Sequence, residues 1–321
     1  MRRLFRKHLD LSIVVAAYDM ARELPRTLWS LTRDYQRHCA GIDYEVLVVD
    51  NGSPEPFGHE RVVAYGGNFR YFYLDNPPSS PAYALNYGAK RARGRVLCLM
   101  IDGARVVMPG ILSLAAAAFR AYRDPTVAVF GWHLGADLQH RSVAAGYDQT
   151  REDALLASIR WPEDGYRLFE IAVLAGSCLG GWFRPINESN AVFIHRDAYV
   201  RLGGFDERFD LPGGGFVNLD FFRRAVLRGG SELVVLLGEG TFHQLHGGIA
   251  TNTGSERERQ DLRRRWETQY ETLRGEAFDV PRKRPIYLGG ISSAVLPSLA
   301  SSVQHAMEIL ERDGCSFTGA E

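Results

Sequence analysis

Apolar runs separated by polar turns dominate the first third of the chain. Continuous, β-branched apolar segments predict buried strands over 11–17, 44–49, 71–74 and 96–101. Apolar positions at helical spacing predict helices over 22–35 and 83–93. Strands that alternate with helices in this way are typical of an α/β fold with a doubly wound, mostly parallel sheet flanked by helices.

The rest of the chain continues the alternation less regularly. The pattern predicts helices over 111–122, 196–202 and 219–227, and strands over 127–132, 187–194 and 233–237. The segment 133–182 shows no clear period beyond a helix at 152–159, and we expect it to be a mobile insertion. We therefore expect one domain over 1–254, with halves at 10–110 and 111–254, followed by a helical C-terminal extension over 255–321.

Composition narrows the class of protein. Lysine plus arginine and aspartate plus glutamate each number 38, so the formal net charge is zero, and this balance does not favour a nucleic-acid partner. The 4 cysteines have no metal-binding or CxxC spacing, which is typical of reduced thiols in the cytosol. No window has the ~18 uninterrupted apolar residues of a membrane span. We expect a soluble, cytoplasmic protein, with a peripheral membrane contact left open for its last amphipathic segment.

Polar residues follow three of the predicted strands. Tyr18 and Asp19 follow the first, Asp50 to Ser53 follow the second, and Asp102 follows the strand at 96–101. Ligands of open α/β sheets bind at the carboxyl ends of the strands, so these residues are candidates for a binding site. Other roles remain open, because Asp102 could cap a turn, Asp50 could form an Asx-turn and Tyr18 could be a half-buried core aromatic.

Four motifs in order resemble family 2 glycosyltransferases of the GT-A fold over residues 10–250. They are VVAAYD ending at Asp19, VVDNGS at 48–53, the Asn86-x-Gly88 helix, and GGFDE at 203–207. The resemblance implies a nucleoside-diphosphate sugar donor, with a UDP-sugar favoured, and a glycan or small-molecule acceptor. It implies a donor site formed by Ala17, Tyr18, Asp50, Asn51, Gly52, Asn86, Lys90 and Asp102. Chemically, Asp50 could accept a hydrogen bond from a pyrimidine imide, whereas Lys90 could equally be an ordinary solvated lysine.

The family's Asp-x-Asp metal motif is altered here. The chain has Asp102-Gly103-Ala104, so a usual carboxylate ligand is replaced by alanine. His243 and His246 lie late in the chain, where the family often has a metal-site histidine, and could supply the missing ligands. We expect a divalent metal, Mn²⁺ or Mg²⁺, on Asp102, His243 and His246, and imidazole suits Mn²⁺ better than Mg²⁺. A metal-independent site, with a histidine on the diphosphate, stays open.

The catalytic base is also altered relative to the family. Its usual position is occupied by Asn218, which cannot accept a proton as a carboxylate does. We expect Asp220 or Glu188 to take this role, although Asp220 could instead complement the dipole of its helix.

The function expected from the resemblance is transfer of a hexosyl group to an acceptor hydroxyl with inversion, in polysaccharide biosynthesis. The alternative is a catalytically degenerate nucleotide-sugar-binding or scaffolding module in glycan assembly. A nicotinamide oxidoreductase is disfavoured because no GxGxxG follows the first strand. A homodimer remains open.

Overall fold

A computed structural model describes residues 9–248 and 255–313 of the chain. The strands are β1 (Leu9–Ala17), β2 (Tyr44–Asp50), β3 (Phe69–Tyr73), β4 (Gly94–Met100), β5 (Arg105–Val107), β6 (Pro125–Leu134), β7 (Ala172–Leu174), β8 (Val192–His195), β9 (Glu232–His243) and β10 (Ile286–Gly289). The helices are α1 (Leu24–Ser30), α2 (His59–Val63), α3 (Pro81–Arg91), α4 (Ile111–Ala121), α5 (Gln139–Ala144), α6 (Gln149–Ser158), α7 (Arg196–Arg201), α8 (Val217–Leu227), α9 (Glu256–Arg274) and α10 (Leu296–Asp313).

One sheet organises the described part of the chain, in the order β10-β9-β6-β8-β4-β1-β2-β3. The pairs of β1 with β2 and β4, of β2 with β3, and of β9 with β6 and β10 are parallel. Strand β8 is antiparallel to both of its neighbours, and the short strands β5 and β7 pair antiparallel with β9 and β6. The expectation of a mostly parallel sheet flanked by helices is confirmed.

Both faces of the sheet are covered, which explains the continuous apolar strands. Within β1, Ile13 and Val15 pack on one side with α1 and α4, whereas Val14 and Ala16 pack on the other with α3. All four side chains are buried. Burial on both faces is what removes the polar alternation from such strands.

Helix α1 ends earlier than the periodicity predicts. The sequence indicates a helix over 22–35, but α1 spans only Leu24–Ser30 and turns follow it. The Ser30 hydroxyl donates to Thr27 O at 2.7 Å, and the Thr32 hydroxyl donates to Trp29 O at 2.7 Å. Such side-chain hydrogen bonds compete with the backbone hydrogen bonds of a helix. The helix therefore ends at Ser30, although the helical spacing of apolar residues continues to residue 35.

The C-terminal extension belongs to the same sheet through β10. Helix α9 begins with a capping box, in which Ser255 accepts from Glu258 N and the Glu258 side chain accepts from Ser255 N. It ends at Gly275, whose φ of 73° is the left-handed conformation that favours glycine. The predicted helical extension gains a strand that the sequence analysis missed, and a domain boundary at residue 254 stays a prediction. No helix in the described ranges is long and apolar enough to cross a membrane.

Glu239 on β9 is a buried carboxyl that couples the sheet to the turn before α4. Its Oε2 accepts from Gly110 N at 3.0 Å, and its Oε1 accepts from the Tyr166 hydroxyl at 2.7 Å. Burial raises the pKa of Glu239 from 4.5 to about 7. The folded protein therefore keeps this proton to higher pH than the unfolded chain does. Its contribution to stability is present below pH 4.5 and is lost as the pH rises through about 7.

The variant Glu239→Gln keeps the shape of this side chain and removes its charge. At pH 8 we expect it to raise the free energy of unfolding by about 2 kcal/mol, because the folded state no longer holds a buried carboxylate. At pH 4.5 the variant and the wild type should be nearly equal in stability. Urea denaturation at both pH values measures this, and a parallel pH dependence in the two proteins would contradict it.

Candidate functional site

The residues that end β1, β2 and β4 lie side by side at the carboxyl edge of the sheet. Ala17 pairs with Asp50 across β1 and β2, and Val15 pairs with Met100 across β1 and β4. Asp102 lies two residues after the end of β4, and the Thr27 hydroxyl holds the turn by donating to Gly103 O at 2.6 Å. The register of the parallel strands therefore brings the predicted donor residues of the first half to one edge.

Asp102, His243 and His246 form a compact cluster at this edge. The Nε2 atom of His243 lies 2.9 Å from Asp102 Oδ2, and the Nε2 atom of His246 lies 3.6 Å from the same oxygen. The two Nε2 atoms are 3.0 Å apart. In the described part of the chain, these three side chains form a group whose ligand atoms all lie within 4.8 Å of one another. The structure thus brings together all three residues predicted to hold a metal.

His243 reaches the cluster as the last residue of β9, not from a loop. It pairs with His133 on β6 and with Arg105 on β5. The sequence analysis ended this strand at residue 237 because the Gly-Glu-Gly segment interrupts the apolar run, but the strand continues to His243. His246 follows beyond the strand, so the two imidazoles can converge although a strand alone would separate them.

The electrostatics of the cluster favour a carboxylate and a neutral imidazole. Burial by itself raises the pKa of Asp102, but His246 and His243 together hold it well below its usual range. Burial, with help from Arg105, lowers the pKa of His243 to about 4. For His246, burial also acts to lower the pKa, but the Asp102 charge outweighs it and raises the pKa. The two histidines therefore shift in opposite directions: burial dominates the pKa of His243, and the Asp102 charge dominates that of His246.

A second layer of residues fixes the orientation of His243. Its Nδ1 lies 2.5 Å from Gln139 Oε1, which can only accept, so Nδ1 carries the proton in this arrangement. Gln139 is itself held by His133, whose Nδ1 accepts from Gln139 N at 3.0 Å. The Nε2 atom of His243 therefore presents a lone pair to the carboxylate of Asp102. A cation between them would turn this repulsion into ligation, as in other sites where an outer residue fixes the histidine tautomer.

The donor set fits a divalent ion. Two ligands about 2.1 Å from one ion and at right angles to each other lie about 3 Å apart, which is close to the spacings in the cluster. One carboxylate oxygen and two imidazoles suit Mn²⁺ or Zn²⁺ better than Mg²⁺. The loss of the second carboxylate at Ala104, which is fully buried, leaves these three side chains as the ligands the site offers.

The segment between β6 and β8 supports the histidine loop. Glu152 on α6 is fully buried and accepts a hydrogen bond from Leu245 N at 2.8 Å. Arg22 donates to Leu245 O at 3.2 Å and forms an ion pair with Glu152 at 3.3 Å. Glu152, from the predicted insertion, and Arg22, from the loop after β1, thus both hold the backbone between His243 and His246.

The nucleotide side of the edge contains one exposed ring and one buried carboxylate. Tyr18 is 54% exposed, which excludes the core role left open for it. Asp50 is only 2% exposed and accepts from Ser53 N at 2.9 Å and from the Tyr71 hydroxyl at 2.7 Å. Asp50 therefore shapes the loop after β2, the Asx-turn role that the sequence left open, and a contact with a base stays a prediction.

The two residues after Asp50 have distinct structural roles. Asn51 donates through Nδ2 to Pro78 O at 3.0 Å, and its Oδ1 has no hydrogen-bond partner among the described residues. Gly52 has a φ of 79°, and a Cβ atom there would lie 2.7 Å from Pro77 Cδ. A side chain does not fit this close approach to Pro77, so the fold itself accounts for glycine here, and a contact of Gly52 with the donor stays a prediction.

Asn86 and Lys90 do not join the other predicted donor residues. The Asn86 amide donates to Phe205 O at 2.9 Å and accepts from Phe205 N at 3.0 Å, so it holds the 203–207 loop. Lys90 is exposed near the end of α3, close to where β4 begins, whereas Asp102 follows the end of β4. The length of β4 separates Lys90 from the cluster. The resemblance implied donor contacts for both residues, but the helix runs away from the carboxyl edge, and we omit both residues from the proposed site.

Glu188 lies beside the position where the family has its base. Asn218, at the start of α8, donates through Nδ2 to Glu188 Oε2 at 2.7 Å and to Ser189 O at 3.3 Å. Glu188 is partly exposed and can meet a substrate. The amide that replaces the family's carboxylate therefore orients another carboxylate, which comes from the loop before β8.

Asp220 is engaged in ion pairs. It is 1% exposed, and its two oxygens lie 2.8 Å from Arg224 Nε and 2.6 Å from Arg274 Nε. Both of its oxygens are therefore engaged by guanidinium groups within the fold. The geometry favours Glu188 over Asp220 as the base and explains Asp220 as the residue that ties α9 to α8.

Sequence analysis missed three residues of the site, which are Arg105, His133 and Gln139. Arg105 has a local signal, because it is a lone charge in the apolar run 104–108 directly after Asp102. His133 and Gln139 carry no comparable signal, since Gln139 meets His243 across 104 positions of sequence. Only the pairing of β6 with β9 brings them together.

Comparisons with known proteins agree with this geometry. Residues 12–159 match the family described as Glycosyl transferase family 2. The structure of S. aureus TarS is similar at 15% identity with a TM-score of 0.50, over 83% of this chain and 40% of the TarS chain. S. aureus TarS 1-349 is similar at 14% identity with a TM-score of 0.50, over 95% of this chain and 74% of that one.

These comparisons show the fold, and they match residues 12–159 to the family. The chain has the GT-A fold of glycosyltransferases, so the resemblance drawn from the sequence motifs is confirmed. The chain spans 40% of the length of the first TarS structure. No curated protein sequence matches it.

Proposed function

We propose that this protein transfers a hexosyl group from a nucleoside-diphosphate sugar, with UDP as the favoured nucleotide, to a hydroxyl group of a glycan or small-molecule acceptor. The observation that carries the proposal is the cluster of Asp102, His243 and His246 beside the ends of β1 and β2, within a family 2 glycosyltransferase fold. That edge is where open α/β sheets bind nucleotides. The proposed setting is polysaccharide biosynthesis in the cytoplasm. A peripheral membrane contact and a homodimer belong to the same proposal.

The residues have separate roles in this proposal. Tyr18 offers its exposed ring to the base of the donor, and the loop at 50–52 lines the nucleotide. Asp102, His243 and His246 would hold a divalent ion, which supplies Lewis-acid stabilisation of the leaving diphosphate. Glu188, held by Asn218, takes the proton of the acceptor hydroxyl as it attacks from the side opposite the leaving group. Attack from that side gives inversion at the anomeric carbon.

Calorimetric titration with UDP, with and without Mn²⁺, tests the donor site. We expect the wild type to bind UDP more tightly with Mn²⁺, by at least about 10-fold, and His243→Ala to lose this gain because one of three ligands is removed. Arg141→Gln, at an exposed position on α5, is the matched control and should bind as the wild type does. Equal binding with and without Mn²⁺ in the wild type would reject the metal.

The second candidate function is a degenerate nucleotide-sugar-binding or scaffolding module, which the substitutions at Ala104 and Asn218 favour. It predicts the same binding of UDP but no release of UDP from a UDP-sugar, with or without acceptors. Turnover of UDP-glucose or UDP-N-acetylglucosamine, followed as UDP release, separates the two functions. Any metal-dependent release that His243→Ala abolishes supports the enzyme.

A further inference from the structure

Arg105 lies inside the candidate site, at the start of β5 and opposite His243 on β9. Its Nε is 3.4 Å from Asp102 Oδ2, an ion-pair distance without hydrogen-bond geometry. Its Nη1 would be 3.7 Å from a Cβ atom on Gly131, so the guanidinium reaches across to the middle of β6.

The guanidinium of Arg105 has donors to spare. Both Nε and Nη1 are buried and make no hydrogen bond within residues 9–248 and 255–313. Arg224, in contrast, donates to Asp220, Leu202 O and Gly204 O. A buried charged group with unused donors is unfavourable unless a ligand supplies acceptors. Because Nε and Nη1 of Arg105 make no hydrogen bond among the described residues, they can donate to a ligand without breaking an existing bond.

The charge balance of the site points to an anionic ligand. Asp102 supplies one negative charge, which the guanidinium and a divalent ion would share. Ala104, at the position of the family's second carboxylate, supplies none. The site with its ion would therefore carry an excess of positive charge, which a diphosphate group can balance.

Arg105 also approaches the segment that carries Glu188. A Cβ atom on Gly131 would lie 3.7 Å from Arg105 Nη1 and 3.4 Å from Asn190 Nδ2, so both side chains reach the same residue of β6. In the proposed transfer, the leaving phosphate would lie at the Asp102 cluster and the acceptor hydroxyl beside Glu188.

We propose that Arg105 is a donor-binding residue whose guanidinium hydrogen-bonds the diphosphate of the nucleotide sugar, beside the metal ligands and independently of the ion. This inference rests on the proposed function. The altered metal motif has one carboxylate where the family has two. In this inference, Arg105 supplies part of the positive charge that neutralises the diphosphate. Planar guanidinium donors match phosphate oxygens in pairs, which a lysine cannot reproduce.

Calorimetric titration of the full chain with UDP and UMP in EDTA tests the inference, with GDP and GMP as a second pair. The wild type should bind the diphosphate at least about 10-fold more tightly than the monophosphate without metal, as expected for charge-assisted bonds to one more phosphate. Arg105→Gln should lose this preference and keep its affinity for the monophosphate. Arg105→Lys, which keeps the charge, should be intermediate, and Arg141→Gln should match the wild type.

The outcomes separate this inference from the proposed function. A wild type that binds no nucleotide overturns both of them. A wild type that prefers the diphosphate in EDTA, with the same preference in Arg105→Gln, overturns only the role of Arg105. Equal binding of diphosphate and monophosphate by the wild type in EDTA also overturns it. Near-ultraviolet circular dichroism checks that each variant is folded, and Arg105→Lys keeps the test valid if Arg105→Gln does not fold.

Discussion

Replacing Glu188 with glutamine is expected to lower kcat by about 10³-fold while leaving the affinity for UDP unchanged. A general base contributes roughly 10²–10⁴-fold, and glutamine keeps the shape of the side chain but cannot accept the acceptor's proton. Affinity should persist because Glu188 precedes β8, which β4 separates from β1 and β2 in the sheet. UDP release under saturating donor measures kcat, and calorimetry measures the affinity.

A carboxylate swap is the sharpest control for this prediction. In Glu188→Gln/Asn218→Asp the carboxylate moves to the family's usual position, 2.7 Å from where it was, and the amide moves the other way. We expect the double variant to recover at least about 10-fold over Glu188→Gln, since a base is again next to the acceptor. An unchanged kcat in Glu188→Gln would exclude Glu188 as the base, whatever the swap does.

The architecture followed from the sequence because its signals are local. Each strand of the first half is an apolar run that ends in a turn, and such runs specify a strand buried on both faces. Residues that follow parallel strands share one edge, which is why Tyr18, Asp50 and Asp102 were brought together as expected. Because several strands and helices each carry their own local signal, the predicted fold class did not depend on any single motif.

The predicted site residues that lie apart from the cluster were chosen by position along the sequence, without the direction of the element that carries them. Asn86 and Lys90 lie one turn apart on α3, yet the helix leads from the carboxyl edge to the opposite edge of the sheet. Asp220 was selected as the nearest carboxylate in sequence to Asn218. Its partner Arg274, however, comes from a helix 54 residues later, and this ion pair has no local signature.

Residues that orient other residues were not predictable from the sequence. Glu152 meets Leu245 across 93 positions, and Asn218 meets Glu188 across 30. In a segment without clear hydrophobic periodicity, the sequence does not distinguish a buried glutamate such as Glu152 from an exposed one. These contacts depend on which strands become neighbours, and that is a property of the whole sheet.

Replacing Asp102 with asparagine is expected to weaken Mn²⁺ binding by at least about 100-fold and to abolish the Mn²⁺-dependent part of UDP binding. The variant keeps the side-chain shape, including an acceptor for Ala104 N, which lies 2.9 Å from Asp102 Oδ1. It removes the one negative charge among the proposed ligands, and hard cations depend on such oxygens. The electron paramagnetic resonance signal of free aqueous Mn²⁺ measures binding without requiring turnover.

Gln139→Leu provides the matched test that the cluster is a metal site and not an ion pair alone. It leaves Asp102, His243 and His246 in place but removes the acceptor 2.5 Å from His243 Nδ1. Without it, His243 can carry its proton on Nε2 and donate to Asp102, which withdraws a ligand, so Mn²⁺ affinity should fall by about 10–100-fold. In a simple ion pair, that same change would strengthen the contact between His243 and Asp102. An unchanged Mn²⁺ affinity in Gln139→Leu would therefore contradict the metal site. A partial loss of Mn²⁺ affinity in Gln139→Leu and a larger loss in Asp102→Asn would follow from ligation through His243 Nε2.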